Sequence, residues 1–400
     1  MDTKPVQRMF YLDWLRVLAI LSVFVYHSTR FFNLGDWHVK NARLYPAVQV
    51  FESFMEIWMM PLIFLISGAS IYFAMNKGGF GKFVKDKVLR LLIPLLVAMF
   101  TYASLQVYLE RITHGRFSGT YFEFLPHYFE GVYLDVGSAG NFAIHGMHMW
   151  YVMILFLYSL MFYPLFRWFK AGGDSVLQKL GNILAFPWTM YLALAFPILL
   201  MGIGISDTGW EFGAGGWGFL YYIFFLLYGF VIVSNERLQA NMRHMRWLSL
   251  TLGVILGVTY IFLIANTANP VIEPLEDALG DLIYVLSACC LLPAMLGFGM
   301  QHLKSSTRFL QYANEAVLPF YILHQTVLLS MGFFITHWAI PDLLKWVLIL
   351  ASSFAICLGI YEFLVRRVNV LRVLFGMKPT IKPAVPEISE IQPAEASRSM

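Results

Sequence analysis

The sequence predicts an all-α fold: a polytopic membrane helical bundle of about ten transmembrane helices, with both ends in the cytoplasm. Three observations carry that prediction. Of 400 residues, 59% are hydrophobic and 13% charged, whereas a soluble domain carries about 25% charged residues. Apolar runs of about 18 residues or more recur along the chain, each long enough to cross a bilayer. Lys and Arg are also sorted between alternate loops.

Spans are expected at 11–33, 49–73, 89–109, 147–166, 186–205, 217–234, 247–265, 280–300, 316–336 and 343–365. Their continuous apolarity favours helices over a β-barrel, whose strands alternate over about ten residues. With the N-terminus inside, segments 1–10, 74–90, 167–186, 235–246, 302–311 and 366–400 hold 21 basic residues, and the opposite loops hold 4. Every loop follows the alternation, which supports span count and orientation together.

Residues 1–376 then form one membrane domain. The tail 377–400 carries Pro379, Pro383, Pro386 and Pro393 among Glu and Ser, a composition expected to be disordered in the cytoplasm. Loop 110–146 is the longest segment on the opposite side. It is acidic on balance and holds Phe117, Tyr121, Phe122, Phe124, Tyr128, Phe129 and Tyr133. Flat rings at a wet surface stack on sugars, and they also anchor membrane interfaces. Cys289, Cys290 and Cys357 lie in apolar runs, so neither a disulfide framework nor a zinc site is expected. Nothing reads as a cleaved signal peptide: Asp13 and Arg16 open the first run and no small-residue cleavage site follows.

The first span, YLDWLRVLAILSVFVYHSTRFF, carries the most chemistry. Eleven steps separate Arg16 from His27, which brings them almost to one face, and the rise is roughly 16 Å. Asp13 lies one turn before Arg16. Ionisable groups in lipid are costly and face a cavity or a partner. The plain alternative is an interfacial Asp13–Arg16 ion pair and a neutral His27 hydrogen-bonded between helices. On other spans, His148 and Trp150 open the fourth, Glu52 and Glu56 lie one turn apart in the second, and His324 falls near the middle of the ninth. Singly, each reads more often as a helix-packing group; together with His27 they suggest one polar cavity.

Before the third span, KGGFGKFVKDKVLRLLIP clusters Lys77, Lys82, Lys85, Lys87 and Arg90. Ordinary positive-inside bias with anionic lipid is one reading. A site for a phosphate-bearing donor is the other. No Walker loop, HExxH, CxxC or nucleophile elbow is present.

On these residues the chain resembles the acyltransferase 3 family of polytopic membrane proteins. Arg16 and His27 match the family pattern of Arg, ten residues, then His, and Asp13 with Arg16 matches its Asp-x-x-Arg start. Ile63 to Gly68 (IFLISG) is similar to its FFLISG segment. His148 to Val152 is similar to its His-Leu-Trp-Phe-Leu segment, with Met149 and Tyr151 substituted. Tyr321 to His324 resembles its YLxH signature, and YEFLVRRVNVLRVLFGMKP looks like the ending of the family's glucan enzymes. The likeness runs from residue 8 to about 380. It departs at the basic Arg-x-x-Arg motif, here Lys87-Val-Leu-Arg90, and in HQTV, which lacks the family's Pro.

The resemblance implies an acyltransferase for groups other than aminoacyl groups, multi-pass in a bacterial inner membrane. Acyl-coenzyme A would be its cytoplasmic donor, giving acetyl or succinyl. An extracytoplasmic glycan, such as a periplasmic glucan, would be its acceptor. The expected partners are donor, glycan and lipid bilayer, with no nucleic acid, no metal and no tightly bound cofactor. His27 would act as general base or acyl carrier, Arg16 would position the donor, and Asp13 would hold Arg16. His148, Trp150, His324, Glu52 and Glu56 are expected on the acceptor side, and Lys82, Lys85, Lys87 and Arg90 around the donor's phosphates. The rival is a transporter of a polar solute, whose signs are discontinuous helices and paired midplane charges; neither is legible in the sequence.

Overall fold

The computed structural model describes residues 8–205, 219–266 and 273–380, and helices account for most of it. Among the described residues, extended backbone pairs only in an isolated bridge between Val132 and Phe142. The helices in chain order are α1 (Phe10–Thr29), α2 (Pro46–Ala74), α3 (Phe80–Lys87), α4 (Ile93–Phe100), α5 (Ala103–Thr113) and α6 (Tyr121–Phe124). Then follow α7 (Trp150–Met161), α8 (Tyr163–Ala171), α9 (Asp174–Leu184), α10 (Pro187–Ile205) and α11 (Phe219–Ser234). The last are α12 (Glu236–Asn266), α13 (Glu273–His302), α14 (Arg308–Ile335), α15 (Asp342–Ile360) and α16 (Asn369–Leu374).

Among the described residues, six helical stretches are long and apolar enough to cross a membrane: Phe10–Thr29, Pro46–Ala74, Glu236–Leu263, Leu279–His302, Arg308–Ile335 and Asp342–Val365. Three bent pairs raise the number to nine if each pair is one span. Large apolar side chains such as Leu192, Phe196, Leu343 and Phe363 remain exposed on the bundle's surface, as a lipid-facing surface requires. The chain is a multi-pass, all-helical membrane protein.

Most helices outrun the apolar windows, because a helix continues through polar residues wherever its backbone bonds are satisfied. Thus α12 begins at Glu236, and α14 at Arg308, where Thr307 caps it by accepting from the Leu310 amide at 3.0 Å. Discontinuous helices are also present, contrary to the expectation. The third span bends by 41° between α4 and α5, the fourth by 50° between α7 and α8, and α9 meets α10 at 110°. Pro164 and Pro187 stand at the second and third breaks, where a missing amide and a ring clash end a helix.

Close approach of backbones sets the interior. A Cβ on Gly68 would lie 1.8 Å from the Leu226 carbonyl oxygen, and one on Gly229 would lie 1.8 Å from that of Leu65. α2 and α11 therefore touch through a reciprocal glycine pair, the small-residue contact that draws helices together in lipid. α1 is enclosed by α2, α13, α14 and α15.

Loop 114–146 has a small core of its own. Thr120 and Glu123 form a capping box on α6. Phe124, Tyr128 and Tyr133 are buried with Ala103, Val107 and Met147. Tyr128 is thus a core residue that donates to the Met99 carbonyl at 2.8 Å, not the wet surface ring expected. Phe122 and Phe129 are the exposed aromatics there. At the C-terminal end, Met377 packs on Tyr361 and Val365. The expected tail lies, from residue 381, outside the described residues.

Candidate functional site

At the C-terminal end of α1 lies a cavity of about 460 Å³. Its wall takes Tyr26, His27 and Arg30 from α1 and the residue after it, Trp37 and His38 from the following loop, Met59 and Met60 from α2, and Tyr321 and Gln325 from α14. His148 and Trp150 enter from the start of α7, and Tyr133, Asp135 and His145 from loop 114–146. His148 is aimed by two successive left-handed residues, Gly146 at φ 65° and Met147 at φ 62°, a conformation that costs a non-glycine residue and so marks an imposed geometry.

Three histidines far apart in sequence meet here. The His27 and His324 ring centres are 5.3 Å apart, and those of His148 and His324 are 4.8 Å apart, edge to face. One carbonyl orders two of them. The Tyr321 oxygen accepts from His148 Nε2 at 3.0 Å and from His324 Nδ1 at 2.5 Å. The Tyr321 hydroxyl in return donates to the His148 carbonyl at 2.5 Å. A nitrogen donating to a carbonyl leaves its ring partner as an acceptor in neutral imidazole. His148 Nδ1, His324 Nε2 and His27 Nδ1 are all buried without a partner. His27 and His148 line the cavity; His324 is fully buried behind them. Among the described residues, no group of three His, Cys, Asp or Glu side chains is placed to hold a metal ion.

The two glutamates of α2 stand behind this wall. Glu52, wholly buried, accepts from Asn33 at 2.6 Å and Thr29 at 2.8 Å and pairs with Arg30 at 3.4 Å. Glu56 accepts from the Tyr26 hydroxyl at 2.5 Å. Neither lines the cavity; each holds a residue that does. Arg30 lies over the Trp37 indole at 4.9 Å, and that indole stacks on His27 at 5.4 Å with 18° between planes. Trp150 packs beside Phe64 and Tyr222.

Arg16 lies outside that cavity, toward the N-terminal end of α1. Its guanidinium donates to Asp13 at 3.1 Å, to Ser70 of α2 at 2.8 Å and to Asn314 of α14 at 3.0 Å. Arg16 and His27 thus both face the seam between α2 and α14, as the eleven-residue spacing requires. Between the two ends, Tyr151 and Ser67 share a hydrogen bond of 2.6 Å. Arg90, exposed on the π-helical turn Val88–Leu92, lies within electrostatic reach of Arg16. Lys87 sits over the Phe83 ring at 5.2 Å, and Lys82 and Lys85 are exposed on α3. The fold brings Arg90 toward Arg16, while Lys82 and Lys85 stay on the outer surface of α3.

Sequence reasoning missed His38 and Glu110. They sit in loop and span-end positions with no periodic signal, yet they form a buried contact of 2.5 Å. Tyr133 and Arg111 also bond this carboxylate, at 2.5 Å and 2.9 Å.

Comparison with known proteins identifies the family. The acyltransferase 3 family model, described as an acyltransferase domain, matches residues 9–362. The chain belongs to the acyltransferase 3 family. It is therefore an acyltransferase. It is similar to proteins named glucans biosynthesis protein C. That of Salmonella heidelberg (strain SL476) is 22% identical over 397 residues, covering 96% of this chain and 98% of the relative. That of Salmonella typhi has the same identity and coverage, and that of Salmonella paratyphi A (strain ATCC 9150 / SARB42) is 21% identical over the same shares. No solved structure matches the chain.

Proposed function

We propose that this enzyme moves an acetyl or succinyl group from cytoplasmic acyl-coenzyme A to a hydroxyl of an extracytoplasmic glycan, a periplasmic glucan being the model acceptor. It would do so from a bacterial inner membrane, with ten spans and both ends inside. The observation that carries this reading is the seam of α1 with α2 and α14. It has Arg16 with Arg90 at one end and the histidine cavity at the other. Acyl transfer needs a fixed donor, a proton acceptor and a pocket that excludes water, and the seam offers a group for each. The names of the relatives support the glucan.

In this mechanism Arg16 and Arg90, with Lys87, hold the donor's phosphates as charge-assisted partners. The thioester reaches the cavity past the Tyr151–Ser67 contact. His27 then meets the acyl carbon or the attacking hydroxyl. Its unpartnered Nδ1 and its stacking on Trp37 leave it oriented but not consumed by a structural hydrogen bond. His148 and His324, with tautomers set by the Tyr321 carbonyl, stand ready to accept. Purified protein incubated with labelled acyl-coenzyme A and periplasmic glucan tests the reading. Label should move to the glucan only when protein and glucan are both present. Donor that binds and is never transferred to any glycan would overturn it.

A further inference from the structure

The Glu110–His38 pair is buried, ionisable and beside the cavity, yet the mechanism above leaves it unused. Every acceptor position of the Glu110 carboxylate is filled. Oε2 faces His38 Nδ1 at 2.5 Å and takes the Tyr133 hydroxyl at 2.5 Å, and Oε1 takes Arg111 Nη1 at 2.9 Å and the Gly137 amide at 3.1 Å. A carboxylate with four donors and an adjacent guanidinium stays ionised and holds its partner's proton on Nδ1. The tautomer of His38 follows: Nε2 carries the lone pair.

That nitrogen points at the cavity wall. His38 and Gln325 both line the cavity, and in this tautomer His38 Nε2 accepts a long hydrogen bond from the Gln325 amide nitrogen at 3.4 Å, which an acceptor hydroxyl would displace. The Gln325 amide is itself fixed, because it donates to Gln106 Oε1 at 3.1 Å and Gln106 donates to Thr326 at 2.7 Å. Its other atom, Gln325 Oε1, is buried without a partner, and the residue is 2% exposed. A lone pair engaged only by that long contact, next to an amide whose oxygen has no partner, can hold and deprotonate a hydroxyl. Trp37 neighbours both imidazoles, with ring centres 5.4 Å from His27 and 4.6 Å from His38.

We infer that His38, oriented by Glu110, is a second general base at this site, acting on the acceptor hydroxyl while Gln325 Oε1 positions a neighbouring hydroxyl of the same acceptor. The inference rests on the acyltransfer reading above and divides its labour. His27 serves the donor's carbonyl and His38 the acceptor's oxygen. His38 Nε2 takes the hydroxyl proton as the oxygen bonds to the acyl carbon. The bond from that carbon to the donor's sulfur breaks, and the proton returns from Nε2 to the departing thiolate. No oxidant or further reactant is needed. A carboxylate that orients a histidine, which in turn meets the reacting hydroxyl, is the general arrangement for such activation.

The test uses the full-length protein in detergent or nanodiscs with labelled acyl-coenzyme A and periplasmic glucan. His38→Asn keeps an amide donor for Glu110 and so preserves the fold, yet it carries no base. Its transfer to glucan should fall by about 10²- to 10⁴-fold, with donor affinity and folded yield near wild type. His38→Ala should be rescued by added imidazoles, and the rescued rate should rise with the basicity of the imidazole, a response that a merely structural histidine would not give. If the wild type transfers and His38→Asn does so at a similar rate, the inference fails and the acyltransfer reading stands. Loss of transfer together with donor binding, without rescue, also overturns it and makes the pair a loop anchor. A wild type that transfers nothing to glycan overturns the acyltransfer reading, and this inference with it.

Discussion

The His27 imidazole lies 5.3 Å, centre to centre, from that of His324, although the two rings come from helices at opposite ends of the chain. His324 has its Nδ1 committed to the Tyr321 carbonyl and is wholly buried. His27 has no such commitment at Nδ1 and reaches the cavity. The pair therefore separates a ring held in place from one available to substrate. His27→Ala should abolish acyl transfer while folded yield and donor binding persist. His27→Gln should be strongly impaired as well, because a flexible amide loses the stack on Trp37 that orients the ring toward the donor's carbonyl. Full specific activity in the Gln variant would move the search to His148 and His38.

Toward the other end of α1, Arg16 joins that helix to Ser70 and Asn314, and Arg90 lies within reach of its charge. Lys87→Ala combined with Arg90→Ala should raise the donor's KM by about tenfold or more, the loss of one or two charge-assisted contacts. The acceptor's KM should change little. Arg16→Lys should behave similarly, since an ammonium cannot span Asp13, Ser70 and Asn314 with one planar fork. Unchanged donor affinity in the double variant would favour a lipid-anchoring role for this basic loop.

Much of this arrangement is legible in the amino-acid sequence. The shared face of Arg16 and His27 follows from helix geometry alone, and the apolar runs announce the bundle. Contacts between distant elements are not legible in the same way, because they depend on packing. His38 lies in the loop after α1, and Glu110 at the end of α5. Nothing in either neighbourhood announces the other. Glu52 and Glu56 have the spacing of a functional pair, yet they turn toward Asn33, Thr29 and Tyr26. A helical wheel shows which face a residue occupies, not whether a wall stands before it. Tyr128 differs from expectation for a related reason: a long loop can bury its own aromatics when it carries enough of them.

Orientation in the membrane rests on 21 basic residues against 4. A phosphatase-type reporter that works only outside the cytoplasm should be active when fused within 110–146 and inactive when fused after Arg372. The reverse pattern would invert the proposed placement of donor and acceptor.

The Gly68–Gly229 contact admits no side chain, since either Cβ would sit 1.8 Å from a carbonyl oxygen of the facing helix. Gly68→Ala or Gly229→Ala should destabilise the protein by about 1–3 kcal/mol, the usual cost of overpacking a tight interior. Gly359→Ala should be close to neutral, because nothing lies within 4 Å of its Cβ position. Thermal unfolding in detergent, followed by tryptophan fluorescence, checks the contrast. Equal midpoints for all three variants would show that α2 and α11 are not in backbone contact.

Lys40 offers a test of the loop that carries Trp37 and His38. Its ammonium is caged by the Asn33 side-chain oxygen at 2.5 Å and by the carbonyls of Asn33, Gly35 and Arg30 at 2.6, 2.9 and 3.0 Å. Burial, helped by the nearby Arg30 charge, draws its pKa down to about 8, against about 10.4 for a free lysine. Between those two values the unfolded chain holds a proton that the folded chain has released, so stability rises with pH across this window. The penalty of burying the charge is fully present below about pH 8 and is relieved as pH climbs toward the ordinary value. Labelling by an amine-reactive anhydride, read by mass spectrometry from pH 6 to 11, should give Lys40 a midpoint near 8. Lys40→Met should flatten the rise in stability over the same interval. A labelling midpoint at the ordinary lysine value would mean that the cage is open to water, and that the loop bearing His38 is not held as the structure places it.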